Sequence, residues 1–180
     1  MKKHRALLIL LIALLAISLM LCGTVFAYMF RKTEYKDNEF TPANVSCKVV
    51  EEFDGTQKTS IQVQNTGNID AYLRVRLVSY WVDADGNVVA KPSEMPEIAL
   101  ASGWIEGANN TYYYESPVAL GMLTPNLLND GTSISLAQDE NGYLQVIEVF
   151  AEAIQSEPEK AATSAWKVTL DSNGNIIAAP

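Results

Sequence analysis

The chain reads as mainly β: a jelly-roll or Ig-like β-sandwich with one short helix, preceded by a cleaved signal peptide. Three observations predict this. The first 30 residues hold a basic start and then an uncharged, largely apolar run from Ala6 to Phe30. From Val45 onward the apolar residues recur at every second position, the period of a strand, rather than at helical spacing. Clusters of Asp, Asn and Gly separate these runs at short intervals, as in all-β domains built from many short strands.

Lys2, Lys3 and Arg5 ahead of an apolar run, closed by small residues, are the layout of a secretory signal. Val25-Phe26-Ala27 places modest side chains where a signal peptidase reads, so the cut is expected between Ala27 and Tyr28. The other reading is an uncleaved anchor, because the run is long enough to span a bilayer. A lipoprotein is disfavoured, since bulky Leu21 rather than a small residue precedes Cys22. The full chain carries 13 basic and 21 acidic residues, a net −8, and losing Lys2, Lys3 and Arg5 with the leader takes it to −11. Such a domain repels nucleic acid and anionic lipid surfaces and suits cationic partners, calcium included. Only Cys47 then remains, so no internal disulfide forms and the hydrophobic core alone must hold the fold.

Residues 28–44 mix charge with Tyr28, Phe30, Tyr35 and Phe40 and read as an extended N-terminal arm ahead of a β-sandwich domain over 45–180. In the first strand Val45, Cys47, Val49 and Phe53 share one face, up to the Asp54-Gly55 turn. Thr59 to Gln64 alternates again, with Ile61 and Val63 inward, and Asn65-Thr66-Gly67-Asn68 breaks it. The longest strand runs from Ala71 to Val82. Ala71, Leu73, Val75, Leu77 and Trp81 lie on its inner face, and arginines beside tyrosines suit a partly covered outer one. Asp83 to Asn87 turns this strand into a hairpin with Val88-Val89. Residues 91–110 read as irregular, with Trp104 and Ile105 as an apolar anchor. Thr111 to Glu115 and Thr132 to Leu136 read as short strands about a loop over 117–125.

Tyr143 to Gln155 is ambiguous by period, and its β-branched Val146, Ile147 and Val149 decide for strand. Ser156 is expected to cap a short helix, with Pro158 in its first turn and Glu159 completing a capping box. A closing hairpin spans Lys167 to Ala178.

The chemistry of catalysis is missing from this composition. The only histidine is His4, inside the leader, whereas zinc proteases take histidine ligands, commonly two on one helix. Neither SxxK nor GxSxG is present to activate a serine. Cys47 alternates with valines and reads as a core thiol. Asp83, Asp85 and Asn87 resemble the opening of a calcium loop, but the downstream bidentate Glu is missing and a plain turn explains them as well. Tyr112 to Tyr114 with Trp104 form a candidate sugar platform, set against the commoner division of strand tyrosines between core and surface. No enzyme activity, cofactor or metal is expected.

Three segments resemble the TasA/camelysin group of secreted Gram-positive proteins: Gln64 to Arg74 with the strand onward to Trp81, Tyr114 to Gly121, and Val149 to Gln155. The leader ending Gly23-Thr24-Val25-Phe26-Ala27 is similar to that group's signal, which a dedicated signal peptidase removes. The resemblance implies a jelly-roll domain in the biofilm matrix. Its subunits would form or decorate fibres through strand addition by the N-terminal arm, with Tyr28, Phe30, Tyr35 and Phe40 as anchors. It implies self-association or other matrix proteins as partners, and an extracellular or cell-surface location. The charged stretch Arg31 to Glu39 departs from a wholly buried arm. The competing expectation is a secreted or anchored module that binds polysaccharide or a host protein.

Overall fold

The computed structural model describes residues 2–32 and 42–180, which fall into two compact units that divide at Thr41–Pro42. In the first unit one helix, α1, spans Lys2–Lys32. Its stretch His4–Thr24 has a mean hydropathy of 2.9 and is long and apolar enough to cross a membrane; a signal sequence has the same properties. Within that stretch Ser18 donates to the Leu15 carbonyl and Thr24 to that of Leu21. The helix continues through Ala27 and Tyr28 to Lys32, so residues 28–32, expected to begin an extended arm, are helical in the uncleaved chain. A continuous apolar run with no Pro and a single Gly accounts for that, since nothing in it breaks the backbone ladder. Tyr35 and Phe40 lie outside the described residues.

The second unit is mainly β, in antiparallel sheets. Strands β1 (Cys47–Phe53), β2 (Gln57–Asn65) and β7 (Ile134–Ser135) make one sheet in the order β1-β2-β7. The other is built on β3 (Ala71–Val82), which pairs with β8 (Leu144–Gln155) along its whole length, from Ala71–Gln155 to Val82–Leu144. On its opposite side β3 pairs with β6 (Thr111–Tyr114) and with β4 (Val88–Val89), and β6 pairs with β5 (Trp104–Gly107). A short helix α2 (Lys160–Ala165) and the hairpin β9 (Thr169–Leu170) with β10 (Ile176–Ala178) follow.

Alternation along β3 creates two cores, one on each face of this sheet. Leu73, Val75 and Leu77 point inward with Ile147 and meet Ile61 and Val63 of the first sheet, all but closed to solvent. On the outer face Tyr72 and Tyr113 are covered by Trp166, Val168 and Ile176 from α2 and the hairpin. The Tyr72 hydroxyl donates to the Gly174 carbonyl at 2.6 Å, which fixes that cover in place. Each fully buried aliphatic side chain contributes about 1.5–3 kcal/mol of transfer free energy.

Three sequence expectations need correction. Trp104 and Ile105 are not an isolated anchor but open β5, whose pairing to the tyrosines of β6 turns alternation that is invisible over four residues into a ladder. Phe53 does not face the core. The β1–β2 register shifts between Glu52 and Phe53, and the ring lies half-exposed over the Lys58 ammonium at 4.9 Å. Ser156 does not cap α2, whose N-cap is Glu159 without a side-chain bond. Instead Ser156 is buried, and both its amide and its hydroxyl donate to the Asp70 carbonyl, closing β8 against the start of β3.

The domain also repeats one turn three times, at Asp83–Asn87, Asp139–Tyr143 and Asp171–Asn175. In each, the aspartate Oδ1 accepts from the amides two and four residues on, at 2.8–3.0 Å. The fourth residue is a glycine with φ near +80° (Gly86, Gly142, Gly174), a conformation that other side chains resist. The pattern D-x-[DN]-G-x is readable in the sequence once the three are aligned.

Leu77→Ala is expected to destabilise the domain by about 2–5 kcal/mol, because it opens a cavity where the two sheets meet, measured as a lower denaturant midpoint at unchanged slope.

Candidate functional site

The turn that carries the family-like motif is organised by Asn65, which is fully buried. Its Nδ2 donates to the carbonyls of Ile69 and Val118, each at 2.8 Å, and its Oδ1 accepts from the Gly67 amide at 3.0 Å. Its backbone joins the loop that follows β6: the Asn65 amide donates to Met122 O and its carbonyl accepts from Gly121 N. One side chain therefore ties β2, the turn and the 118–122 loop together, with both amide protons used.

The outer side of this turn grips residues 42–46, which lead into β1. The amides of Thr66 and Gly67 donate to the Ser46 carbonyl, and the Asn68 amide donates to that of Asn44. The Asn68 side chain closes the clamp, accepting from the Asn44 amide at 2.7 Å and donating to the Pro42 carbonyl at 2.9 Å. Approach is so close that a Cβ on Gly67 would collide with the Asn44 carbonyl oxygen. Gly67 is thus required for space, not for an unusual φ.

From Ser46 the chain enters β1, and a second feature begins there. β1 is paired only through β2, and β8 only through β3 over most of its length. The outer side of β8 is bonded near its start, where Gln145 N donates to Ala137 O, while the Ser156 N to Asp70 O bond extends its pairing with β3. The two strands run side by side, their Cα atoms approaching within 8 Å, yet among the described residues no backbone hydrogen bond joins them. The result is a seam flanked by two edge strands, with the segment before β1 at its Gln155 end, where Ala43 and Gln155 line one recess. Cys47 sits half-buried at this seam. Burial, with the Glu152 carboxylate adding to it, pushes its thiol pKa up and keeps it protonated, opposite to what a nucleophile needs.

The remaining candidates resolve as follows. Asp83 spends its carboxylate on its own turn, accepting from the Asp85 and Asn87 amides and from Asn87 Nδ2, and these bonds lower its pKa. Asp85 enters this turn through its amide, and Asn87 through its amide and its Nδ2. Among the described residues no group of three or more His, Cys, Asp or Glu side chains is placed to hold a metal ion. The candidate sugar platform is not a surface: Trp104, Tyr112 and Tyr113 are all buried, and Trp104 packs on Tyr114 at 5.5 Å between centroids. The backbone at Ala27, Tyr28 and Phe30 is helical, and Tyr35 and Phe40 fall outside the described residues. The seam was not visible to sequence reasoning, because nothing in a strand's own residues says whether both its edges are paired.

No protein-family model, curated protein or solved structure matches this chain.

Two outcomes test the local physics. Asn65→Ala is expected to cost about 1–3 kcal/mol for each buried partner left unpaired, and hydrogen exchange at the Thr66, Gly67 and Asn68 amides should rise well above that of β3. Asp54 and Asp139 are both held to about 2 from an ordinary 3.8. For Asp54 the cause is hydrogen bonds from the Thr56 and Gln57 amides, and for Asp139 chiefly the Lys91 ammonium. Both pKa values are depressed by folding, so their stabilisation is present above about pH 4 and is lost as pH falls toward 2. Thermal midpoints should be flat from pH 7 to 4 and then drop, less steeply in an Asp54→Asn, Asp139→Asn double variant.

Proposed function

We propose that the chain is an exported structural protein of an extracellular matrix, of TasA/camelysin type, which assembles by adding its N-terminal arm as a strand to a neighbouring copy. The fold reading that goes with it is a jelly-roll-like sandwich whose two sheets enclose the inner core. The observation that carries the proposal is the open seam between β1 and β8, with the arm root clamped at one end of it. A sheet edge with unpaired amides and carbonyls is a template for an incoming strand, and an extended segment satisfies it with main-chain bonds. The arm of one subunit is rooted where it can leave its own domain and reach the seam of the next. Removal of α1 at Ala27–Tyr28 by a signal peptidase frees the segment, which is helical at 28–32 while the leader is attached. Burial of the aromatic candidates for a glycan platform leaves the binding-module reading without a specific observation in its favour. In this role the domain needs no catalytic group, cofactor or metal.

Electron microscopy of the secreted form, with and without residues 28–44, tests the reading. Fibres are expected from the intact secreted chain and none from the truncated one, and a peptide of residues 28–44 should bind the truncated domain. Fibres that persist without the arm would sink the proposal. N-terminal sequencing of the secreted form should begin at Tyr28.

A further inference from the structure

An antiparallel sheet with one face on a core normally turns polar residues to water on the other. The outer face of β3 and β8 departs from that rule in a specific place. At one end it is covered by the chain itself: Arg74 stacks on Trp166 at 4.6 Å and is ion-paired with Glu152, its cross-strand partner. Beyond Arg74 the cover stops and the apolar residues continue. Val78 and Tyr80 on β3, Phe150 on β8 and Val88 on β4 line an open recess of about 740 Å³, with Phe150 45 % and Val88 70 % exposed. Arg76 and Glu148 also line it, both exposed and neither in an ion pair among the described residues, whereas every other charge on this face of β3 and β8 is paired.

We infer that this half-face is an interface for a second copy of the chain, packed face to face about a two-fold axis. The charge pattern selects that occupant. A strip with one unpaired cation and one unpaired anion leaves one of them unmatched against a partner of either single sign. A two-fold axis exchanges the two positions, so Arg76 of each copy meets Glu148 of the other and both pairs close at once. The apolar residues beside them, Val78, Tyr80, Phe150 and Val88, then pack on their equivalents, as two sheets do when their faces meet. This face stands perpendicular to the sheet edges that strand addition uses, so the inference does not depend on that reading. If both hold, strand addition runs along a fibre and face pairing joins fibres side by side.

The test is energy transfer between two dye-labelled populations of the full-length chain in detergent micelles, in which residues 28–32 are still part of α1. Arg76→Glu and Glu148→Arg lie on exposed positions of a long strand pair, and unchanged thermal midpoints check that both variants fold. Wild type should give transfer, and each variant alone should lose it by placing like charges opposite each other. A one-to-one mixture of the two variants should regain it, because Glu at position 76 of one copy then meets Arg at position 148 of the other. Pairing within a single chain cannot produce that rescue. A wild type with no transfer up to millimolar concentration, single variants that keep it, or a mixture that fails to recover it would each overturn the inference.

Discussion

Twelve consecutive cross-strand pairs between β3 and β8 are the constraint on which the rest of this domain depends. They set the register in which Leu73, Val75 and Leu77 face one core while Tyr72 and Arg74 face the other. A slip by one residue would exchange the two sets and put Arg74 and Arg76 among the aliphatics of the inner core, so the register is strongly specified by burial. Both ends of the pairing are also closed: Ser156 is held on the Asp70 carbonyl, and Gln145 reaches Ser79, Ser93 and the Glu94 carbonyl. On its other edge β8 has no ladder partner over most of its length. The domain's stability and its open seam thus arise from the same strand.

Much of this was legible in the residues themselves. The alternation from Ala71 to Val82 is long enough to declare a strand and assign both its faces, and the β-branched residues of 146–149 settled the ambiguous segment correctly. What stayed hidden was of three kinds. Trp104 to Gly107 is too short for a period to register, and it becomes a strand only through its partner. Phe53 obeys the alternation up to a bulge that no local residue announces. Ser156 has the chemistry of a helix cap, and a tertiary partner 86 positions away took the hydroxyl instead. Of the candidate site, the turn at 65–68 was visible as a motif and as a break in pattern. Its grip on residues 42–46 was not, because most of its bonds join backbone to backbone and the Asn68 side chain that completes them is also an ordinary turn residue.

Four of the domain's aspartates share one use: each carboxylate satisfies backbone amides of its own turn. Asp54, Asp83, Asp139 and Asp171 each accept from their own turns, and each has a lowered pKa for that reason or through an added cation. An acidic chain therefore contains fewer free ligands than its composition suggests. Four of its aspartates are engaged in closing their own turns.

The grip on the arm root has a consequence for how this segment can vary. Apart from the Ser46–Thr66 hydroxyl contact, the turn takes hold of Pro42, Asn44 and Ser46 through their carbonyls and one amide, all main-chain atoms. Such a hold is nearly blind to side-chain identity. Substitutions at 42–46 are therefore expected to leave this hold in place, whereas it rests on Gly67, Asn65 and Asn68.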